Sequence, residues 1–138
     1  MESKEFFYHF GKLLYQIDAI YDEFAKKYKV KANILWILYS LNDGNEHTQK
    51  EISENWSIPK TTLNTLIKEL EKDKYIELIP IEGEKRELNI KLTLSGKKYA
   101  DEILNNIYEI ENKVFNLLPN QNVINDLEII KKGLKEYE

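Results

Sequence analysis

Cysteine is absent from this 138-residue chain, and proline and glycine are scarce at three and five residues. Without a thiol there is no disulfide framework, no thiolate zinc site and no thiol redox switch. The only two histidines, His9 and His47, lie far apart in the sequence and beside no obvious carboxylate cluster. Acid–base catalysis and a nitrogen-and-oxygen metal site therefore both lack their usual groups. There is no nucleophile constellation and no Gly-rich phosphate loop, so an enzyme is not expected, and no catalytic residue, metal or cofactor is assigned. No apolar run approaches the ~18 residues that span a bilayer. The first ten residues, MESKEFFYHF, lack the basic, then apolar, then small-residue order of a signal peptide. The expectation is a cytoplasmic protein without a membrane partner.

What is present is a periodic, foldable chain. Apolar residues make up 42% of it, which argues against disorder. A single domain of this length buries about 68% of its unfolded surface. Net charge is −4, from 20 Lys and Arg against 24 Asp and Glu. Nucleic-acid binders usually leave a basic footprint, so any such binding here has to rely on a local surface. KKYKVK, Lys26 to Lys31, concentrates four lysines without an acid, and Pro59 to Lys72 holds three lysines against two glutamates.

Phe6, Phe10, Leu13, Ile17, Ile20 and Phe24 step by 4, 3, 4, 3 and 4, with Phe7, Leu14, Tyr21 and Tyr28 beside them at intervals of seven. This predicts a first helix of about 22 residues with a wide apolar face. A second helix is expected over roughly Lys31 to Leu41, ending at a loop where Gly44 supplies a left-handed turn. TQKE, opening at Thr48, fits a capping box for a short third helix. Pro59 suits the first turn of a fourth, about Lys60 to Lys72. The period then becomes two, in YIELIPI and in Leu88, Ile90, Leu92 and Leu94, around a turn containing Gly83. That reads as a β-hairpin. Two more helices follow, about Gly96 to Phe115 and one carrying Val123, Leu127, Ile130, Leu134 and Tyr137.

Two helices joined by a tight turn and followed by a two-stranded hairpin form a winged helix-turn-helix, whose second helix fits the major groove. In that helix Leu63, Leu66, Ile67 and Leu70 make an inward stripe, while Lys60, Thr61, Thr62, Asn64, Thr65 and Lys68 face outward. Lys meets phosphates, Thr and Asn donate and accept, and a Thr methyl packs on thymine. Solvent alone would account for a polar outer face. A Thr-rich one is nevertheless a poor choice on helix propensity, and the capping box, the Pro-started helix and the hairpin stand in the order DNA contact requires.

Thr48 to Ala100 resembles the core of the MarR family of winged-helix transcriptional regulators. The resemblance lies in TQKEISENWSIPKTTLNTLIKELEKDKYIE and in EGEKRELNIKLTLSGKKYA. LTLSG, Leu92 to Gly96, is similar to the family's Leu-Thr-x-x-Gly at the start of the long helix, and Glu84 to Arg86 to its acidic-x-Arg wing tip. The resemblance implies a mainly α fold in one domain, 1–138, with a DNA-binding lobe over 31–95 and a helical dimerisation region over 1–30 and 96–138. It implies a homodimer on a pseudo-palindromic operator in double-stranded DNA, with the recognition helix, about 59–72, in the major groove and the wing, 82–87, in the minor groove. Repression, relieved by a small-molecule effector, is the family mode it suggests. Arg86 becomes the residue inserted into the minor groove and Lys85 a phosphate contact, against the plainer reading of a solvated turn. The seams of both terminal helices agree with dimerisation, the alternative being that they fill a monomeric core.

Two departures from the family shape the expectation. Thr65 stands where members often keep a base-reading Arg, and Glu69 where a second basic residue is found. Glu82, Glu84 and Glu87 also flank the wing. Fewer guanine contacts follow, with more reliance on Thr methyls, phosphates and DNA shape. The ligand site stays unassigned: Trp36, Tyr15, Tyr39 and Tyr8 are candidates to line a cavity, although aromatics on helical stripes are more often core. Absence of cysteine argues against a peroxide switch. The competing reading is a winged-helix module that binds protein and has no specific DNA site.

Overall fold

The computed structural model describes all 138 residues. Six helices and a small sheet follow in the order α1 (Ser3–Lys27), α2 (Ala32–Leu41), β1 (His47–Thr48), α3 (Gln49–Trp56), α4 (Lys60–Lys72), β2 (Ile76–Pro80), β3 (Leu88–Leu92), α5 (Leu94–Phe115) and α6 (Asn122–Glu136). The chain divides into two compact units, Met1–Asn105 and Asn106–Glu138.

In the first unit α2 is apolar nearly all round, because it is enclosed. Leu35, Ile37, Leu38 and Leu41 are fully buried with Ile52 of α3, Leu63 of α4 and Ile90 of β3. Ser40, the one buried polar residue, donates its hydroxyl to the Ile37 carbonyl at 2.7 Å, so its burial leaves no unpaired donor.

The helix boundaries have identifiable local causes. Thr48 and Glu51 form the expected capping box at the start of α3. Pro59 stands at the N-cap of α4, one residue before the first turn assigned to it by sequence, with extended backbone (ψ 139°). α1 and α4 both end in Schellman turns whose left-handed residue is a lysine: Lys29 (φ 59°) and Lys74 (φ 64°). After α1, Val30 N–H reaches the Ala25 carbonyl; after α4, Tyr75 N–H reaches that of Leu70, both at 3.0 Å.

Two features differ from the sequence reading. The wing is not an isolated hairpin: β1 adds to it antiparallel, His47 opposite Ile90, giving a three-stranded sheet in the order β1-β3-β2. A two-residue strand has no periodicity to detect. β2 is thus an edge strand, which is why it tolerates Pro80. The alternation also ends at Leu92 rather than Leu94, and α5 begins two residues before Gly96. The cause is Thr93, whose hydroxyl donates to the Lys74 carbonyl at 2.7 Å and accepts from Gly96 N–H at 3.0 Å. That cap turns the chain out of the sheet and leaves Leu94 as the first helical residue, 93% exposed.

The LTLSG pattern is therefore a joint. Ser95 also donates to the Lys74 carbonyl, at 3.2 Å, and Thr93 N–H bonds the Tyr75 carbonyl at 3.1 Å. The Tyr75 and Tyr99 rings stack at 4.1 Å. A Cβ on Gly96 would overlap the Tyr75 carbonyl, lying 2.7 Å from its carbon. No other residue permits that approach.

The second unit holds the C-terminal half of α5, a turn and α6. Its apolar residues Val114, Leu118, Val123, Leu127 and Leu134 are exposed. In the first unit the stripe of α1 is open too, with Phe6, Leu13, Ile17 and Ile20 between 44% and 55% exposed. No helix is long and apolar enough to cross a membrane.

Candidate nucleic-acid interface

α4 separates its two faces as its spacing requires. Leu63, Leu66, Ile67 and Leu70 are buried, while Lys60, Thr61, Asn64, Thr65 and Lys68 are exposed and Thr62 is half-buried. The turn into α4 is made by Ser57 in the left-handed region (φ 51°), with Ile58 N–H on the Ser53 carbonyl at 3.2 Å. Ser53 returns the bond, its hydroxyl donating to the Ile58 carbonyl at 2.7 Å. Two reciprocal bonds across five residues hold the angle between α3 and α4.

Thr65, in the position where an Arg was the family expectation, donates its hydroxyl to the Thr61 carbonyl at 3.1 Å. Its donor is thus used within the helix, leaving a methyl and an acceptor to face outward. A side chain so arranged can pack on a thymine methyl or accept from an adenine or cytosine amine, and cannot mimic an Arg on guanine.

At the wing, Gly83 takes φ 83° and Glu84 N–H bonds the Ile81 carbonyl at 3.0 Å, giving the tight tip. Lys85 and Arg86 are exposed just beyond it. Arg86 and Lys60 line one cleft of about 530 Å³ between α4 and the wing, and Gln49 and Lys50 of α3 line it with them. Glu84 and Glu87 are on its walls but form no ion pair with those cations. Lys60, Lys68, Lys85 and Arg86 likewise carry no ion pair, so their charges are available to a ligand.

A second recess, of about 380 Å³, brings Thr62 and Thr65 beside Lys31, Ala32 and Asn33 at the start of α2. There Lys31 Nζ meets the Glu69 carboxylate at 3.1 Å. An exposed pair of this kind contributes little to stability, but it offsets the negative charge at the site where a basic residue was the family expectation. The lysine run and Glu69 stand far apart in the sequence. Their meeting across 38 residues has no local signature.

The four aromatics named as cavity candidates do not gather. Trp36 and Tyr39 cluster with Trp56 and Tyr21, the two indoles stacked at 5.3 Å. Tyr8 and Tyr15 lie exposed along α1. The reading of His47 is corrected as well: it stands between two carboxylates, Asp43 at 2.7 Å and Glu51 at 3.2 Å. Each is four residues away, a spacing that signals contact inside a helix and was silent here because Asp43 is in a loop.

Comparison with known proteins agrees with this geometry. Residues 31–87 match the sequence model of the MarR family. The chain is 28% identical over 131 residues to the HTH-type transcriptional regulator SarZ of Staphylococcus epidermidis, covering 91% of this chain and 86% of that one. The structure of NMB1585, a MarR family regulator from Neisseria meningitidis, superposes with a TM-score of 0.81 at 27% identity over the whole of both chains. S. aureus MepR in its DNA-binding conformation gives 0.75 at 20% identity, over 96% of this chain and 98% of that one.

Proposed function

We propose, from the premise that this chain belongs to the MarR family of winged-helix transcriptional regulators, that it binds a pseudo-palindromic DNA operator as a homodimer and acts as a repressor. The observation carrying this reading is the convergence of unpaired cations on both sides of one cleft, Lys60 from α4 and Arg86 from the wing. A cleft between a groove-sized helix and a basic wing suits a phosphate backbone, with α4 entering the major groove and Arg86 the minor groove. Lys60, Thr61, Thr62, Asn64, Thr65, Lys68, Lys85 and Arg86 are the contact residues in this reading. Gln49 and Lys50 join them at the cleft wall.

The open apolar stripes support dimerisation. A monomer seldom leaves faces this large uncovered, and two copies seated on each other's α1 and α5–α6 segments would cover them. The N-terminal helix would belong to that assembly together with 96–138, leaving 31–95 to the DNA. A small-molecule effector fits the same regulatory scheme. S. aureus MepR, similar in fold, is seen in a DNA-binding conformation, which supports the DNA partner by analogy.

The test is a binding measurement on the DNA flanking the chain's own gene, with salt varied. Binding is expected to weaken steeply with salt, and Arg86→Ala to reduce the log–log salt slope by about 1. If Thr65→Ala, Lys68→Ala and Arg86→Ala together leave affinity intact, the protein-binding module replaces this reading.

A further inference from the structure

His47 is the first residue of β1 and makes two contacts with carboxylates through its two ring nitrogens: Nε2 to Asp43 Oδ2 at 2.7 Å and Nδ1 to Glu51 Oε2 at 3.2 Å. Each carboxylate is also tied to the backbone. Asp43 Oδ1 accepts from Asn45 N–H at 2.9 Å, holding the turn at Gly44. Glu51 Oε1 accepts from Thr48 N–H at 3.4 Å, closing the capping box of α3. One imidazole therefore stitches the α2–β1 loop to the N-terminus of the first helix of the DNA-reading pair.

Both contacts together require both ring nitrogens to carry hydrogen, which is the imidazolium. A neutral ring has one N–H, so its other nitrogen would present a lone pair to a carboxylate. One contact must then open, and the longer one, to Glu51, is the weaker. We propose that Asp43, His47 and Glu51 form a proton-dependent brace that seats α3, and through the Ser57 turn α4, in the pose seen here. This rests on the DNA-binding reading above. Operator affinity should then fall as pH rises through the neutral range.

The surroundings leave those two carboxylates as the charges that act on the ring. Across the ladder His47 faces Ile90 of β3; Lys91, the next residue, projects from the opposite sheet face. Glu46 and Lys50 flank the segment without pairing to His47. The recess beside it is closed by Tyr39 and Ser40 of α2 and by Ile52, Asn55 and Trp56 of α3, none of which is charged. Desolvation lowers the His47 pKa, but the hydrogen bonds it donates to Glu51 and Asp43 and the charges of those carboxylates outweigh it, and the net direction is upward. Both carboxylates are lowered: desolvation opposes this at Asp43, where bonds from Asn45 and His47 prevail, and the His47 bond leads at Glu51. A raised histidine stabilises fully below its ordinary ~6.5 and loses that contribution as pH climbs through the raised value. The lowered carboxylates contribute above about pH 4 and lose it as pH falls.

Three measurements on the full chain test this. NMR titration of the two histidine rings should show His47 titrating above ~6.5. Thermal stability should fall from about pH 6 to pH 8.5 in the wild type and stay flatter in His47→Gln and in Glu51→Gln. Glu51→Gln is the conservative arm, because Gln also closes a capping box. At fixed ionic strength, affinity for the duplex upstream of the gene should drop about threefold over that range in the wild type and stay level in both variants. A His47 pKa at or below the ordinary value, or parallel stability profiles, would overturn the brace. Parallel affinity profiles alone would overturn its link to DNA. Absence of duplex binding at any pH would sink the functional reading and that link with it, while the NMR and stability arms still decide the brace.

Discussion

Gly96 and Lys31 show how single positions decide more than their chemistry suggests. Gly96 sits where α5 crosses the Tyr75 carbonyl, so Gly96→Ala must displace backbone. The expected cost is about 3 kcal/mol, the upper range for overpacking, against a gain in helix propensity nearer 1 kcal/mol. Denaturant unfolding should show the loss. Lys31 acts through its partner Glu69. In the proposed docking mode, removing it takes a cation from the groove side and exposes a carboxylate there, so Lys31→Ala should weaken DNA binding about three- to tenfold at low salt. Glu69→Gln should strengthen binding, and Lys31→Ala should cost less in that background. A double-mutant cycle on operator affinity measures the coupling.

At the scale of elements, the helix-turn-helix depends on its caps more than on its length. α3 has only eight residues, too few to be stable from propensity alone. Its start is set by the reciprocal Thr48 and Glu51 bonds and its end by the Ser53–Ile58 pair. Thr48→Ala removes the acceptor for Glu51 N–H and should cost about 1 kcal/mol. For a chain this size that lowers Tm by about 4 °C, readable by circular dichroism. Since α3 carries the turn into α4, the same variant should weaken DNA binding although Thr48, half-buried at the start of α3, lies outside the contact set.

For the whole molecule, the open stripes of α1 and of the second unit lead to a prediction about mass. The protein should sediment at twice the 16.4-kDa chain, and its melting temperature should rise with concentration. Placing a charge in the α1 stripe, as in Leu13→Glu with Ile17→Glu, should yield monomer by analytical ultracentrifugation. Because two half-sites bound together gain from effective concentration, that variant should also lose most of its operator affinity while keeping a folded α2–β3 lobe.

Helix positions, the capping box, the inward stripe of α4 and the left-handed glycines Gly44 and Gly83 were legible in the sequence, because each follows from spacing within a few residues. Periodicity shows which side chains share a face, and steric rules show where only certain residues turn. β1, the Thr93 joint, the Lys31–Glu69 pair and the cleft shared by Lys60 and Arg86 were not legible. Each depends on segments distant in the chain arriving at one place, and local pattern holds no record of that meeting. His47 marks the boundary: its two partners stand at helical spacing in the sequence, yet only the folded loop brings Asp43 round to the second nitrogen and makes the ring's charge a structural matter.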